Sequence, residues 1–72
     1  MDTTDKTLAW NLELARELRS YIADTRQELE AARQAASEGE GSREEVVRLE
    51  GSLTAAREQL QAVERETRQM VS

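Results

Sequence analysis

The sequence predicts an all-α fold in which two long helices pack as an antiparallel coiled-coil hairpin, and we expect two such hairpins to form a four-helix bundle. Apolar residues recur every seven positions, and a single break rich in Gly and Ser interrupts the pattern. Proline is absent from the 72 residues, 35% are charged and only 3% are aromatic, a composition typical of long helices. The chain is therefore predicted to be one hairpin domain spanning residues 1–72.

The first helix is predicted at about residues 4–37. Thr3, Thr4 and Asp5 offer side-chain oxygens to the unpaired N–H groups of a first turn. Two rows with a seven-residue period follow, and they correspond to the a and d positions of a heptad repeat. The rows are Leu8, Ala15, Ile22, Leu29 and Ala36, and Asn11, Leu18, Thr25 and Ala32. The polar members are expected to penalise slipped alignments and so to control the register.

Residues 37–42 read Ser-Glu-Gly-Glu-Gly-Ser, contain no apolar side chain and predict a turn at 38–42. Gly39 suits the left-handed residue that often closes a helix. Ser42 and Glu45 have the spacing of a capping box, which predicts a second helix at about 43–71. The alternative is one continuous helix that dimerises along its length. The two Gly residues and a change of heptad phase across the break favour the hairpin.

The second helix repeats the pattern in two further rows, Val46, Leu53, Leu60 and Thr67, and Leu49, Ala56, Val63 and Met70. The predicted hairpin core is Leu8, Ala15, Ile22, Leu29, Val46, Leu49, Leu53, Leu60, Val63 and Met70. Two registers remain open, one with Leu29 facing Leu49 and the other with Leu29 facing Ala56. Helical spacing also predicts ion pairs within each helix, namely Glu30–Arg33, Glu44–Arg48 and Glu64–Arg68.

Four large side chains of helix 1 lie outside the core rows. The seam is the line along which the core rows of the two helices pack. Trp10, Leu14 and Tyr21 share one face beside the seam, and Leu12 flanks the seam on its other side. The predicted partner or oligomer interface is Trp10, Leu12, Leu14, Leu18 and Tyr21. This interface could pack against a second copy of the chain, or it could dock a different protein in the helix-in-groove manner. Packing within the hairpin alone is the third possibility.

Composition argues against several functional classes. The chain has no His, no Cys and a single Lys, so we expect no enzyme activity, no catalytic residue, no metal site and no cofactor. A net charge of −5 without a basic stripe argues against nucleic-acid binding. No apolar run is long enough for a membrane span or a signal peptide. The absence of Cys is consistent with a cytoplasmic protein.

One polar stripe on helix 2 resembles a known pattern. Glu50, Thr54, Arg57 and Gln61 follow one another at intervals of four, three and four. This spacing resembles the stripe with which anti-sigma factors of one actinobacterial family bind cyclic di-GMP. Thr54 stands where that pattern has Ser, and Arg65 stands where it ends in Asp, which inverts a charge. The resemblance implies a small-molecule site at these four residues.

The function that these features predict is a non-enzymatic helical interaction module, such as an adaptor, an inhibitor or a small chaperone. Small acidic hairpins of similar size and architecture act as co-chaperones for needle subunits in type III secretion. A purely structural oligomerisation bundle is one alternative, and a regulatory, anti-sigma-like hairpin that senses a cyclic dinucleotide is another. Arg supplies nine of the ten basic residues, and this preference together with abundant Ala suggests a bacterial or phage source.

Overall fold

The computed structural model describes residues 3–71, with side chains described from residue 7 onward. Helix α1 spans Thr3–Ser37 and helix α2 spans Arg43–Val71, and the two pack against each other along their length. The resulting rod measures 57 × 15 × 14 Å. The prediction of an all-α fold with two packed helices is confirmed. The side chains expected to cap the first turn, those of Thr3, Thr4 and Asp5, lie outside the described residues.

Two glycines shape the turn, each for a different reason. The Gly39 N–H donates to the Ala36 carbonyl at 3.1 Å, and the Glu40 N–H donates to the Ala35 carbonyl at 2.8 Å. This pair of bonds is a Schellman motif, and it needs the left-handed backbone that Gly39 adopts at φ +80°. At Gly41 a Cβ atom would lie 2.9 Å from the backbone nitrogen of Ala36. The close approach of the chain to the end of α1 therefore excludes larger residues at Gly41.

Helix α2 begins with a capping interaction at Ser42. The Ser42 hydroxyl accepts a hydrogen bond from the Glu44 N–H at 3.1 Å. The predicted reciprocal bond from Glu45 is not formed, and the Glu45 carboxylate instead lies 3.5 Å from the Arg48 guanidinium. A charged partner one turn along the helix competes with the backbone N–H for the same carboxylate. The acidic first turn is still favoured by the helix dipole.

The hydrophobic core consists of two clusters along the seam. Near the turn, the buried residues are Leu29, Leu49 and Leu53, with Ile22, Ala32 and Val46 packed against them. Toward the other end of the rod, the buried residues are Ala15, Leu18 and Val63, with Leu14 and Leu60 packed against them. Of the predicted core residues, Leu8, Ile22, Val46, Leu60 and Met70 are half-buried. Ala56 is also buried.

Contacts between the helices decide the register that periodicity left open. Leu29 shares a cluster with Leu49 and Leu53, which corresponds to the alignment with Leu29 facing Leu49. Two ion pairs, Arg19–Glu64 and Arg33–Glu50, cross the seam with N–O distances of 3.1 Å. The paired positions lie 14 residues apart on both helices, from 19 to 33 and from 50 to 64. The helices therefore run antiparallel with matched heptads.

These cross-seam pairs replace most of the ion pairs predicted within a helix. The prediction that Arg33 pairs with Glu30 is wrong, because its guanidinium reaches Glu50 on the other helix. Arg48 pairs with Glu45 and not with Glu44. Glu64 binds Arg19 through its carboxylate, and only its backbone carbonyl accepts a bond from Arg68, at 3.5 Å. A partner on the adjacent helix can be as near as one on the same helix, and only the register reveals it.

The polar residues of the seam are buried or half-buried. Asn11 and Thr25 are 5% and 4% exposed, and the Asn11 amide nitrogen lies 3.9 Å from the Met70 sulfur. Thr67 is half-buried and donates its hydroxyl to the Val63 carbonyl at 2.8 Å. Among the described side chains, no buried nitrogen or oxygen lacks a hydrogen-bond partner. Their role in controlling the register stays a prediction.

Candidate interaction surface

The seam divides the surface of the rod into two sides, and we call the first the aromatic side. Its residues on α1 include Trp10, Leu14 and Tyr21, whose spacings of four and seven place them on one face of the helix. Trp10 is 69% exposed and Tyr21 is 49% exposed. Leu14 is half-buried, because it packs against the core cluster of Ala15, Leu18 and Val63. Both aromatic residues of the chain are thus displayed to solvent.

The other two predicted interface residues differ in burial and position. Leu18 is only 9% exposed and belongs to the core cluster, so it mainly stabilises the hairpin and reaches the surface only at the floor of a groove beside Tyr21. Its place in the Asn11 row of the heptad explains this burial. Leu12 is 54% exposed, but it lines a cavity with Arg19 and Glu64 on the opposite side of the seam. Of the predicted interface residues, Trp10, Leu14, Leu18 and Tyr21 therefore lie on the aromatic side, and Leu12 lies on the other.

Helix α2 contributes a groove to the aromatic side that the sequence reasoning missed. A cavity of about 410 Å³ lies between the helices, lined by Leu18, Tyr21, Ser52, Ala55, Ala56 and Gln59. Small side chains on α2 leave this space open next to the Tyr21 ring. The signal in the sequence was the helical spacing of Ser52, Ala55 and Ala56, which a search for large apolar residues does not detect. An apolar side chain of a partner could fill this groove.

A second and smaller cavity of about 120 Å³ lies toward the beginning of α1. It is lined by Trp10, Glu13, Leu14 and Glu17. The two carboxylates are four residues apart, so they project from neighbouring turns along one flank of the Trp10 and Leu14 pair. This arrangement places negative charge directly beside an exposed indole. A cation in this cavity would be attracted by both carboxylates and by the face of the indole ring.

We call the opposite surface the arginine side. Two ion pairs lie on this side, Arg19–Glu64 and Arg33–Glu50. Halfway between them along the two helices lie Arg26 on α1 and Arg57 on α2. The ladder of opposite charges is thus interrupted at its centre by two like charges. A cavity of about 610 Å³ at this point is lined by Arg26, Leu29, Glu30, Arg33, Gln34, Leu53 and Arg57. Three guanidinium groups and one carboxylate, that of Glu30, border this cavity, and the excess of positive charge favours an anion there.

The four residues of the polar stripe on α2 all lie on the arginine side, but they do not form one site. Arg57 lines the central cavity. Glu50 is engaged with Arg33 across the seam. Thr54 and Gln61 are exposed and are not among the residues that line this cavity. Of the stripe, only Arg57 therefore stands ready to bind a ligand in the cavity.

The two sides carry opposite charge within residues 7–71, when positions c and g of the heptad are assigned to the aromatic side and positions b and e to the arginine side. Residues at the outer f position are not counted, including Glu13, which borders the aromatic side. The aromatic side carries Glu17, Asp24, Glu28, Glu45, Glu66 and Arg48, which is five carboxylates against one arginine and a net charge of −4. The arginine side carries Arg16, Arg19, Arg26, Arg33, Arg43, Arg57, Arg68, Glu30, Glu50 and Glu64, a net charge of +4 from seven arginines and three carboxylates. A partner therefore meets a different electrostatic surface on each side.

Comparison with known proteins identifies no family for this chain. No protein-family model matches the chain, and no curated protein and no solved structure is significantly similar to it. Within residues 3–71, neither helix contains a segment long and apolar enough to cross a bilayer. The functional interpretation therefore depends on the two sides of the rod.

Proposed function

We propose that this chain is a non-enzymatic helical interaction module that binds itself or a partner protein through the aromatic side. The observation that carries this proposal is the exposure of Trp10 and Tyr21 beside a groove between the helices. Tyr and Trp are frequent anchors of protein interfaces, because a large apolar ring gains from desolvation while its polar atom can hydrogen-bond. An exposed apolar patch beside a groove is typical of an interaction site.

The rod would act as an adaptor, an inhibitor or a small chaperone by presenting this side as a rigid surface. If the partner is a second copy, the two hairpins form a four-helix bundle with the aromatic residues enclosed. A purely structural role is the limiting case, in which self-assembly uses the aromatic side completely and leaves none of it for another protein.

Light scattering across a concentration series, together with quenching of Trp10 fluorescence by acrylamide, tests the proposal. Self-association is expected to raise the molar mass above 8.2 kDa and to shield Trp10 from the quencher. The variant Tyr21→Glu should then return the mass to that of one chain. Val47→Glu is the matched control, because Val47 is 66% exposed but shares the heptad position of Thr54 and Gln61 on the arginine side, away from the aromatic side.

The helix content of each variant is measured by circular dichroism. Helicity is expected to persist in both, because neither side chain is part of the core clusters. If Tyr21→Glu and Val47→Glu change the mass equally, self-association does not use the aromatic side. If the wild type stays at one chain, the side is free for a different protein. A wild-type chain that stays monomeric and also binds no amphipathic helical peptide would contradict the proposal altogether.

A second candidate function is a cyclic-dinucleotide sensor on the arginine side, supported by the position of Arg57 in the cavity with Arg26 and Arg33. Phosphate groups favour such clusters of guanidinium donors. Cyclic di-GMP at a hundredfold excess over its Kd should stabilise the fold by about 2.7 kcal/mol in a thermal melt. Arg57→Ala should remove this effect, whereas Arg65→Ala on the outer surface should keep it. No shift in the wild type would exclude this candidate.

A further inference from the structure

The apolar part of the aromatic side is short. Trp10 and Tyr21 are separated by eleven positions, which corresponds to about 16 Å along α1. The rod is 57 Å long, so most of this side carries no large exposed apolar residue. A bundle of two hairpins packed along their full length would need a longer apolar strip. The patch has the length of about three helical turns, which fits a short helix from a partner.

Charge around the patch favours a basic partner over a second copy. The aromatic side carries a net −4, so two copies docked through it would bring two acidic surfaces together. Like charges facing each other across an interface suppress association. Arg48, the one arginine on this side, already contacts Glu45 at 3.5 Å. A partner with Lys or Arg beside its apolar face would meet complementary charge along the whole patch.

The two cavities of the aromatic side have different chemistry. The groove at Tyr21 is bordered by Leu18, Ser52, Ala55, Ala56 and Gln59, without a charged residue, and it suits an apolar side chain. The cavity at Trp10 is bordered by Glu13 and Glu17 and suits a cationic one. Both open on the same side of the rod, and their linings on α1 are centred about six residues, or roughly 9 Å, apart.

We propose that the aromatic side binds a basic amphipathic helix of a partner protein. Apolar residues of that helix occupy the groove at Tyr21, and a Lys or Arg lies between Glu13 and Glu17 against the Trp10 ring. This inference rests on the proposed function and specifies its partner. It corresponds to the helix-in-groove mode of recognition, with the carboxylates of the rod selecting for positive charge.

Two synthetic peptides of 18 residues test the charge preference with the full chain. Both carry leucines at helical spacing on one face, and the other face is lysine in the first peptide and glutamate in the second. Isothermal titration calorimetry and Trp10 fluorescence are expected to give at least tenfold tighter binding for the lysine peptide. Tyr21→Ser and Ala55→Gln, which alter the groove at exposed positions, should each weaken that binding severalfold.

The decisive comparison separates specific carboxylates from the overall charge of the chain. The double variant Glu13→Gln, Glu17→Gln should weaken binding of the lysine peptide by about tenfold. The double variant Glu44→Gln, Glu58→Gln is the matched control, because it removes two charges from exposed outer positions of α2. The control should bind almost like the wild type. Equal weakening in both double variants would overturn the inference, because attraction would then depend on net charge alone.

The remaining outcomes distinguish this inference from the proposed function. A stable dimer that Tyr21→Glu dissociates, with no preference for the lysine peptide, would assign the aromatic side to a second copy. The inference would then be overturned and the proposed function upheld. Failure of both peptides to bind a chain that is also monomeric would overturn both.

Discussion

The aromatic and arginine sides share one core, but they differ in how each deals with its charged residues. On the arginine side, carboxylates of α2 pair with guanidinium groups of α1 at 3.1 Å, so charge is used to join the helices. On the aromatic side, the ion pair between Glu45 and Arg48 lies within α2, and the acidic residues of α1 face solvent around an exposed Trp10. The ion pairs of one side thus contribute to the register, whereas the other side leaves its aromatic residues exposed to solvent.

The largest effect is expected from breaking the core that both sides depend on. Leu29→Ala removes most of a side chain that is 5% exposed and packs with Leu49 and Leu53 near the turn. Large-to-small changes of this kind cost about 2–5 kcal/mol, a large share of the stability of a small domain. Urea denaturation followed by circular dichroism measures the loss. Leu12→Ala is the control at an exposed position, and its effect should stay within about 0.5 kcal/mol.

A loss of stability as small for Leu29→Ala as for Leu12→Ala would mean that the two sides do not share this core. A loss of stability as large for Leu12→Ala as the one expected for Leu29→Ala would mean that the exposed Leu12 also packs against the hairpin.

A smaller effect of opposite sign is expected at a position that belongs to neither side. Gly51 lies within α2, and a Cβ atom added there would meet no other atom within 4 Å. Gly51→Ala should therefore stabilise the hairpin by about 1 kcal/mol through helix propensity. Thermal melts measure this gain. Binding of the lysine peptide should be unchanged, and a change in its affinity would show that the outer surface of α2 takes part in recognition.

The smallest effect concerns the interruption of the charge ladder on the arginine side. Arg26→Glu places a carboxylate opposite Arg57, between the two existing ion pairs, and should stabilise the hairpin by about 0.2–1 kcal/mol. The gain should shrink in 1 M NaCl, because salt screens exposed pairs. Arg65→Glu on the outer surface gives the same change in net charge without a partner on α1. Equal effects of the two variants would rule out a local ion pair.

Much of the fold follows from local features of the sequence. The seven-residue rows predict two helices, because only residues on one stripe of each helix can be buried. The Gly39 and Ser42 signals predict the turn, since a left-handed residue and an N-cap are local requirements of the backbone. The place of Leu18 in the Asn11 row also predicts its burial.

The candidate interaction surface was only partly predictable from the sequence. The exposed positions of Trp10 and Tyr21 follow from their spacing relative to the core rows. The groove beside Tyr21 does not, because its opposite wall consists of residues from α2 that are more than 30 positions away. Small residues such as Ser52 and Ala55 become informative only when their neighbours across the seam are known.

The sequence by itself determined the helices, the turn between them and the stripe that each helix buries, because all three arise from interactions over a few residues. Only the tertiary structure decided which residues meet across the seam. Two registers satisfied the periodicity equally well, since shifting one helix against the other preserves every apolar row. Packing of Leu29 against Leu49 and Leu53, together with the pairing of Arg19 with Glu64, selects one register. That selection brings Tyr21 beside the small residues of α2 and aligns Arg26 with Arg57.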